Sequence, residues 1–447
     1  MEIEAWALVM FGVAVALLLL GFPVAFTLGA VAMAFGGIFL GLEFFDLLPL
    51  RIWGIMTNFT LLAVPLFVFM GVILEKSGLA EDLLETMGQL FGRVRGGLAI
   101  SIVVVGALLA ATTGVVGATV VTMGVIALPA LLKHRYQPAL ATGTIAAAGT
   151  LGQIIPPSIV LILLGDVMGV PVGRLFMAAV GPGLLLIALF MLYILLVAWL
   201  RPRLAPAVTV PSSGGRGEED GAALARRVLL SLIPPLLLIV AVLGSIFFGI
   251  ASPTESAAVG ALGALALAAL HRRLSLDHLR EAMRQTTRLT SMVFLILIGA
   301  TAFGLVFKGM GGDMLVEDLV AELPGGEWGF LALSMLLIFV LGFFLDFLEI
   351  CFIVVPILAP IADYLGIDLL WFAVLIAMNL QTSFLTPPFG FSLFYLKAAA
   401  PPEIRIQQIY RGIIPFVIMQ VLTLAVLMFW PELALWLPDL MDSLQGF

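Results

Sequence analysis

Apolar residues in this chain come in long blocks separated by short clusters of charge, glycine and proline. The clearest blocks are Trp6 to Leu20, Val24 to Leu40, Phe59 to Leu74, Leu175 to Leu200, Val228 to Ile250, Ala257 to Leu270, Leu289 to Phe307, Leu369 to Leu396 and Ile413 to Trp430. Most approach the roughly 20 residues a helix needs to cross a bilayer's hydrocarbon core. Lipid offers no partner to an unpaired N–H or C=O, so such blocks must be helices. The pattern predicts an all-α polytopic membrane protein. Glu2 and Glu4 stand where a signal peptide carries basic residues, so the first block is expected to stay as a membrane helix.

One polar, glycine-rich interruption, Arg201 to Arg227, is predicted to be an exposed linker between residues 1–200 and 228–447. Sliding one half over the other by 231 positions puts Pro129 on Pro360, Pro156 and Pro157 on Pro387 and Pro388, and Pro171 on Pro402. Usage near 5% gives about a third of one match among six prolines, so four matches mark an internal duplication. The same shift pairs Gly78 with Gly309, Asp82 with Asp313, Arg174 with Arg405 and Gly181 with Gly412.

Composition agrees with the block pattern: of 447 residues 62% are hydrophobic and 11% charged, and the net charge is −7. The placement of that charge orients the chain, because cytoplasmic loops collect lysine and arginine. With the N-terminus outside and the linker inside, 18 of the 21 basic residues fall inside, and only Arg51, Arg174 and Lys308 fall outside. Acidic residues gather on the outer side, at Asp313, Glu317, Asp318, Glu322 and Glu327, at Asp363 and Asp368, and at Asp439 and Asp442. Lys133 to Arg135 then lie inside while the equivalent segment beside Asp363 lies outside, so the two repeats are inverted in topology. The C-terminus falls outside.

This topology makes Leu98 to Leu132 and Phe330 to Ala359 begin and end on one side, as a re-entrant hairpin or a pair of short full spans. The first tip, Ala111 to Thr119, holds Thr112, Thr113, Gly114 and Gly117, whose accessible carbonyls and hydroxyls suit a hard cation. The second tip, Leu341 to Glu349, places Asp346 and Glu349 near mid-depth, where a charge costs about 2.5–3.5 kcal/mol unless solvated or paired.

Two further blocks are broken by Pro-Pro. Around Pro156 and Pro157 stand Gly149, Thr150, Gly152, Gln153 and Ser158; around Pro387 and Pro388 stand Asn379, Gln381, Thr382, Ser383 and Thr386. Proline removes the donors that helix carbonyls need, and a bilayer tolerates this only where the backbone faces protein or a water-filled cavity. A packed proline kink is the structural alternative. Interruptions paired across two halves are the pattern of a transporter site, with helix N-termini facing an anion and C-terminal carbonyls facing a cation. The expectation is cotransport of an organic anion with sodium, with no other cofactor.

The remaining features are local. Asp166 lies near the outer end of its block, and Glu255 follows Pro253 where a first-turn carboxylate complements the helix dipole. His271 and His278 fall in a basic amphipathic loop suited to lipid headgroups. Cys351 reads as a buried small hydrophobe, and three scattered histidines have no metal-ligand spacing. An enzyme is not expected, because no opposed catalytic groups appear. Without a GxxxxGK loop an ATP-driven pump is not expected either. No nucleic-acid partner is implied.

GTIAAAGTLGQIIPPSIVLILLGD with VGRLFMAAVGPGLLL, SPTESAAVGA and the second-half TPPFG together resemble the large membrane subunit of tripartite ATP-independent periplasmic (TRAP) transporters, over essentially the whole chain. The resemblance implies an elevator-type transport domain driven by sodium. It also implies a separate four-helix small membrane subunit, a periplasmic substrate-binding protein, a carboxylate-bearing organic-acid substrate and a bacterial or archaeal cytoplasmic membrane. It places ion and substrate regions at Thr112 to Gly114, Gly152 to Ser158, Asp346 and Thr382 to Pro388. Family members often show Ser-Gly-Ser-Ser at the first tip, whereas this chain has Thr113, Gly114, Val115 and Val116. A stand-alone sodium/dicarboxylate symporter of similar design is the alternative.

Overall fold

The computed structural model describes residues 3–91, 94–114, 116–207, 221–321 and 324–445. Arg93, Val115, Arg216 and Glu322 lie outside these, as do the side chains of Thr113, Arg226 and Arg227. The first half runs α1 (Ile3–Leu19), α2 (Val24–Phe39), α3 (Leu48–Met56), α4 (Ala63–Lys76), α5 (Leu79–Phe91), α6 (Gly97–Thr113), α7 (Val116–Lys133), α8 (Pro138–Thr150), α9 (Ile159–Met168) and α10 (Val172–Leu200). The second runs α11 (Gly221–Phe247), α12 (Pro253–Leu270), α13 (Leu276–Gly309), α14 (Gly312–Ala321), α15 (Gly326–Leu341), α16 (Phe347–Glu349), α17 (Val355–Tyr364), α18 (Leu369–Leu385), α19 (Phe391–Ala399), α20 (Ile406–Phe429) and α21 (Glu432–Gln445). A π-helical stretch, Ile350–Val354, joins α16 to α17. Among the described residues six helices are long and apolar enough to cross a membrane, and the pair Leu42–Met56 and Thr60–Lys76 is bent by 54°. Leu20, Leu184, Trp199 and Leu270 are among the large apolar side chains left facing outward, as lipid contact requires.

The duplication extends to element boundaries. Adding 231 to Val116 and Lys133 gives Phe347 and Tyr364, the first residue of α16 and the last of α17. The same shift carries Pro138, the start of α8, to Leu369, the start of α18, and Met168, the end of α9, to Ala399, the end of α19. Packing is reciprocal as well: α4 lies on α12, and α2 lies on α13. Glycine permits the closest crossings. A Cβ on Gly143 of α8 would stand 2.1 Å from the carbonyl oxygen of Gly412 in α20, and one on Gly299 of α13 would stand 2.5 Å from that of Ala25 in α2. Small residues let helix backbones approach where apolar burial alone gives no drive for association in lipid.

The linker is shorter than its sequence bounds, since residues 221–227 already belong to α11. Arg201 and Arg203 are exposed, whereas Ala205 is buried and Leu204 half-buried. The Gln137 N–H donates to the Leu204 carbonyl at 3.0 Å and the Gly96 N–H to that of Ala205 at 3.0 Å. These two bonds hold the start of α6 and the residue before α8 beside one another, so α6 and α7 leave and return on the same side. The expected loop at His271 to His278 is a short connection, residues 271–275, and ends where Ser275 caps α13 by accepting from the His278 N–H at 3.1 Å.

Candidate functional site

The α6–α7 hairpin turns at Gly114, whose φ of 60° is the left-handed conformation that suits a residue without a Cβ. That turn rests on the start of α9: a Cβ on Gly114 would lie 3.4 Å from the Ile159 nitrogen. The second hairpin turns between Leu341 and Phe347, and Gly342 there presses on Ser383 near the end of α18. One tip therefore meets the N-terminus of a half-helix and the other the C-terminal part of one. α8 and α9 are separated by a 3-10 turn, Leu151–Gln153, and the Pro156–Pro157 step; α18 and α19 are separated by Pro387–Pro388, and both Pro-Pro bonds are cis.

Between the tips lies a cavity of about 430 Å³. Val116 to Ala118 at the start of α7, Ile159 at the start of α9 and Asp346 to Leu348 at the start of α16 converge on it, together with Phe384 and with Tyr395, which stands against Gly117. The long helix α13 passes alongside and works as a depth gauge. His278 near its start lines one cavity, Leu289, Met292 and Val293 line the central one, and Lys308 near its end lines a third. At 1.5 Å per residue His278 to Lys308 spans about 45 Å, the thickness of a bilayer with its headgroup layers, and the central cavity falls near the midpoint.

Asp346 and Glu349 have a local role that the sequence reading did not give them. Asp346 caps α16, its Oδ1 accepting from the Phe347 N–H at 2.7 Å, while Glu349 Oε2 accepts from the Asp346 N–H at 3.1 Å. This reciprocal capping box satisfies donors that a membrane interior would otherwise leave unpaired. Asp346 also lines the cavity.

Of the residues singled out from sequence, Gly117 and Asp346 line that cavity, and Gly114 touches its Ile159 wall. The hydroxyls of Thr112, Thr150, Thr382, Ser383 and Thr386 are turned onto their own helices. Thr112 Oγ1 donates to the Leu109 carbonyl at 2.9 Å, Thr150 Oγ1 to Ala147 at 2.8 Å, Thr382 Oγ1 to Met378 at 2.8 Å, Ser383 Oγ to Leu380 at 2.9 Å and Thr386 Oγ1 to Thr382 at 2.7 Å. Gly152 faces Ala110 of α6.

The breaks are closed by hydroxyls at equivalent carbonyls. Ser158 Oγ donates to the Gln153 carbonyl at 2.9 Å, and Ser392 Oγ donates to the Phe384 carbonyl at 3.0 Å; Gln153 and Phe384 are 231 apart. Pro156 lies in the buried first break, whereas Pro388 in the second is exposed, its carbonyl accepting from the Tyr410 hydroxyl at 3.2 Å.

Several amide groups buried around the breaks have no partner among the described residues: both side-chain polar atoms of Gln153 and of Gln381, and Oδ1 of Asn379. Asn379 Nδ2 is used, donating to the Met335 carbonyl at 2.6 Å. α18 packs against α8 and the 151–153 turn, which brings these amides onto adjoining elements. Buried unpaired oxygens are costly, and a hard cation or water satisfies them. No cluster of three or more His, Cys, Asp or Glu suited to a metal occurs among the described residues. Tyr395, Phe384 and Met292 line the cavity without having been expected from sequence. Tyr395 carries a polar group inside a half-helix, the signal that would have found it; Met292 carries none.

The family model for the "Tripartite ATP-independent periplasmic transporter, DctM component" matches residues 11–433. The C4-dicarboxylate TRAP transporter large permease protein DctM of Pseudomonas aeruginosa is 32% identical over 88% of this chain and 89% of its own. The sialic acid large permease SiaM of Vibrio cholerae is 30% identical over 95% of this chain and 96% of its own, and the ectoine large permease TeaC of Halomonas elongata 30% over 97% and 99%. Among solved structures, the YdaH transporter of Alcanivorax borkumensis shares the fold with a TM-score of 0.63 at 16% identity, over 96% of this chain and 98% of its own. A multi-pass helical protein matched over nearly its whole length by that family model, this chain belongs to the DctM component family, the large permeases of the tripartite ATP-independent periplasmic transporters.

Proposed function

We propose that the chain imports a carboxylate-bearing organic anion together with sodium, receiving it from a periplasmic binding protein and working beside a separate small membrane subunit. The observation that carries this reading is the cavity between the two hairpin tips, midway along α13, where the starts of α7 and α9 meet the Asp346 carboxylate. The N-termini of α7 and α9 offer amides to a carboxylate, that of α9 having no side-chain cap, and Asp346 with nearby carbonyls offers oxygen to sodium. The unpartnered amides of Gln153, Gln381 and Asn379 supply further oxygen ligands. Relatives named for C4-dicarboxylate and sialic acid support the substrate class.

The two halves, 1–200 and 228–447, are inverted repeats joined by a cytoplasmic linker at 201–227, in the cytoplasmic membrane with both termini outside. Contacts support the grouping of these segments by side. Asn58 Nδ2 donates to Asp166 and Thr254 Oγ1 to the Phe59 carbonyl, among groups assigned outside; Arg273 pairs with Asp82 at 3.1 Å, both assigned inside. Transport proceeds by elevator-like displacement of the hairpins and broken helices. The decisive experiment reconstitutes the chain with its small subunit and binding protein in liposomes. Uptake should follow an imposed sodium gradient and require the binding protein. Uptake indifferent to sodium defeats the coupling, and uptake without the binding protein identifies a stand-alone symporter.

A further inference from the structure

Three basic residues break the charge rule by lying on the outer side, and the structure accounts for one of them. Arg174 pairs with Asp442 at 2.8 Å. Arg51 and Lys308 have no acidic partner among the described residues, and they converge on one cavity of about 410 Å³. Its other charged group, Asp166, accepts from the neutral Asn58 amide and keeps its charge, so the lining sets two cations against one carboxylate. Lys308 also borders a small crevice with Asp313 and Glu317 but is paired with neither.

The duplication supplies a control within the molecule. Val121, Thr122, Val125 and Ile126 line a cavity of about 490 Å³ at the opposite end of α13, and adding 231 to each gives Phe352, Ile353, Pro356 and Ile357, which line the Arg51 cavity. The two vestibules are thus counterparts with different charge. In the second, Lys76 and Arg273 are balanced by Glu75 and Glu81, His278 stands beside them, and Arg273 is further committed to Asp82 and to the Ser77 carbonyl.

We propose that the vestibule lined by Arg51 and Lys308 is a peripheral collecting site for the carboxylate substrate on the outer side, and that its repeat-related counterpart has no such site. The proposal rests on the transport reading and orientation given above. The geometry suits it: Leu297 of the vestibule and Val293 of the central cavity are four residues apart on α13, about 6 Å or one turn. An anion held at the mouth stands next to the site it must reach, and unpaired cations at the rim of a low-dielectric cleft raise the local concentration of anions. At the balanced inner vestibule the same anion is not retained, which favours release.

The test uses thiol labelling, since the native Cys351 is fully buried. In Thr301→Cys, which lines the outer vestibule, an anionic sulfonate methanethiosulfonate should outpace its trimethylammonium analogue by about tenfold relative to a free thiol at low salt. The preference should vanish in Arg51→Gln/Lys308→Gln, whose side chains are exposed and whose elution profile should be unchanged, and should be absent in Val125→Cys at the inner vestibule. A preference that survives both glutamine substitutions overturns the proposal. So does one present in phospholipid-free detergent but lost in phosphatidylcholine/phosphatidylglycerol vesicles, because lipid phosphate then owns the cations. In the reconstituted complex the glutamine pair should raise KM severalfold with little change in kcat. Labelling asymmetry without sodium-driven uptake removes the transport reading alone; sodium-driven uptake without asymmetry removes this proposal alone.

Discussion

Gly342→Ala tests whether the second hairpin tip must press on the interrupted helix. Gly342 has φ −65°, a conformation open to any residue, so the penalty is steric alone. A Cβ there would stand 2.2 Å from Ser383 Oγ, 2.6 Å from Ser383 Cβ and 3.1 Å from the Ile338 carbonyl oxygen. Overpacking of this kind costs about 1–3 kcal/mol, taken here as about 2. Ser383→Gly removes the obstacle and with it the hydroxyl bonded to Leu380, at about 1 kcal/mol for the bond and about 0.5 for glycine in a helix. Independent effects would sum to about 3.5 kcal/mol; if the two residues occupy one space, the double variant should cost only about 1.5, a coupling of about 2 kcal/mol. Titration of purified protein from mild detergent into dodecyl sulfate measures the four unfolding free energies, and uptake in liposomes measures function. The double variant should recover both relative to Gly342→Ala. Additivity within about 0.5 kcal/mol refutes the direct contact.

Pro156→Ala with Pro157→Ala restores two backbone donors and should cut sodium-driven uptake at least about tenfold while the protein still elutes as one folded species; full activity would reduce the motif to a packed kink. Asp346→Asn keeps an equally good capping oxygen but removes the charge, so stability should hold while the sodium concentration for half-maximal uptake rises severalfold; unchanged sodium dependence would leave Asp346 a cap alone. Ser158→Ala and Ser392→Ala each strip a hydroxyl from a carbonyl at a break, and each should lower stability by about 1–2 kcal/mol in the same titration. Ser252→Ala, which breaks the Ser252–Glu255 capping box of α12, should cost about 1 kcal/mol and leave uptake unchanged.

Much of the architecture was legible because lipid imposes a simple rule on sequence. A chain that must pair its backbone internally shows its helices as apolar blocks and its irregular points as proline and glycine, which is why both breaks and both hairpin turns were found. Amphipathic α5 and α21 were missed, since a helix polar on one side does not form an apolar block. Within the linker Arg201 and Arg203 are exposed, but the docking of Leu204 and Ala205 was not legible because it is made by backbone groups, which leave no mark on sequence.

The candidate site divides in the same way. The linear chain by itself determined the helical class, the duplication at 231 positions, the two paired interruptions and the placement of basic residues. These are properties of local composition and spacing, and solvation acts on them segment by segment. Only the tertiary structure decided that Asp346 lines the cavity while Gln153 and Thr382 are buried outside its lining, that Tyr395 forms part of its wall, and that Arg51 and Lys308, 257 positions apart, share a vestibule. Which side chain faces a void depends on how separate helices cross. That is set by close contacts such as Gly143 on Gly412, between residues distant in sequence that no local pattern connects.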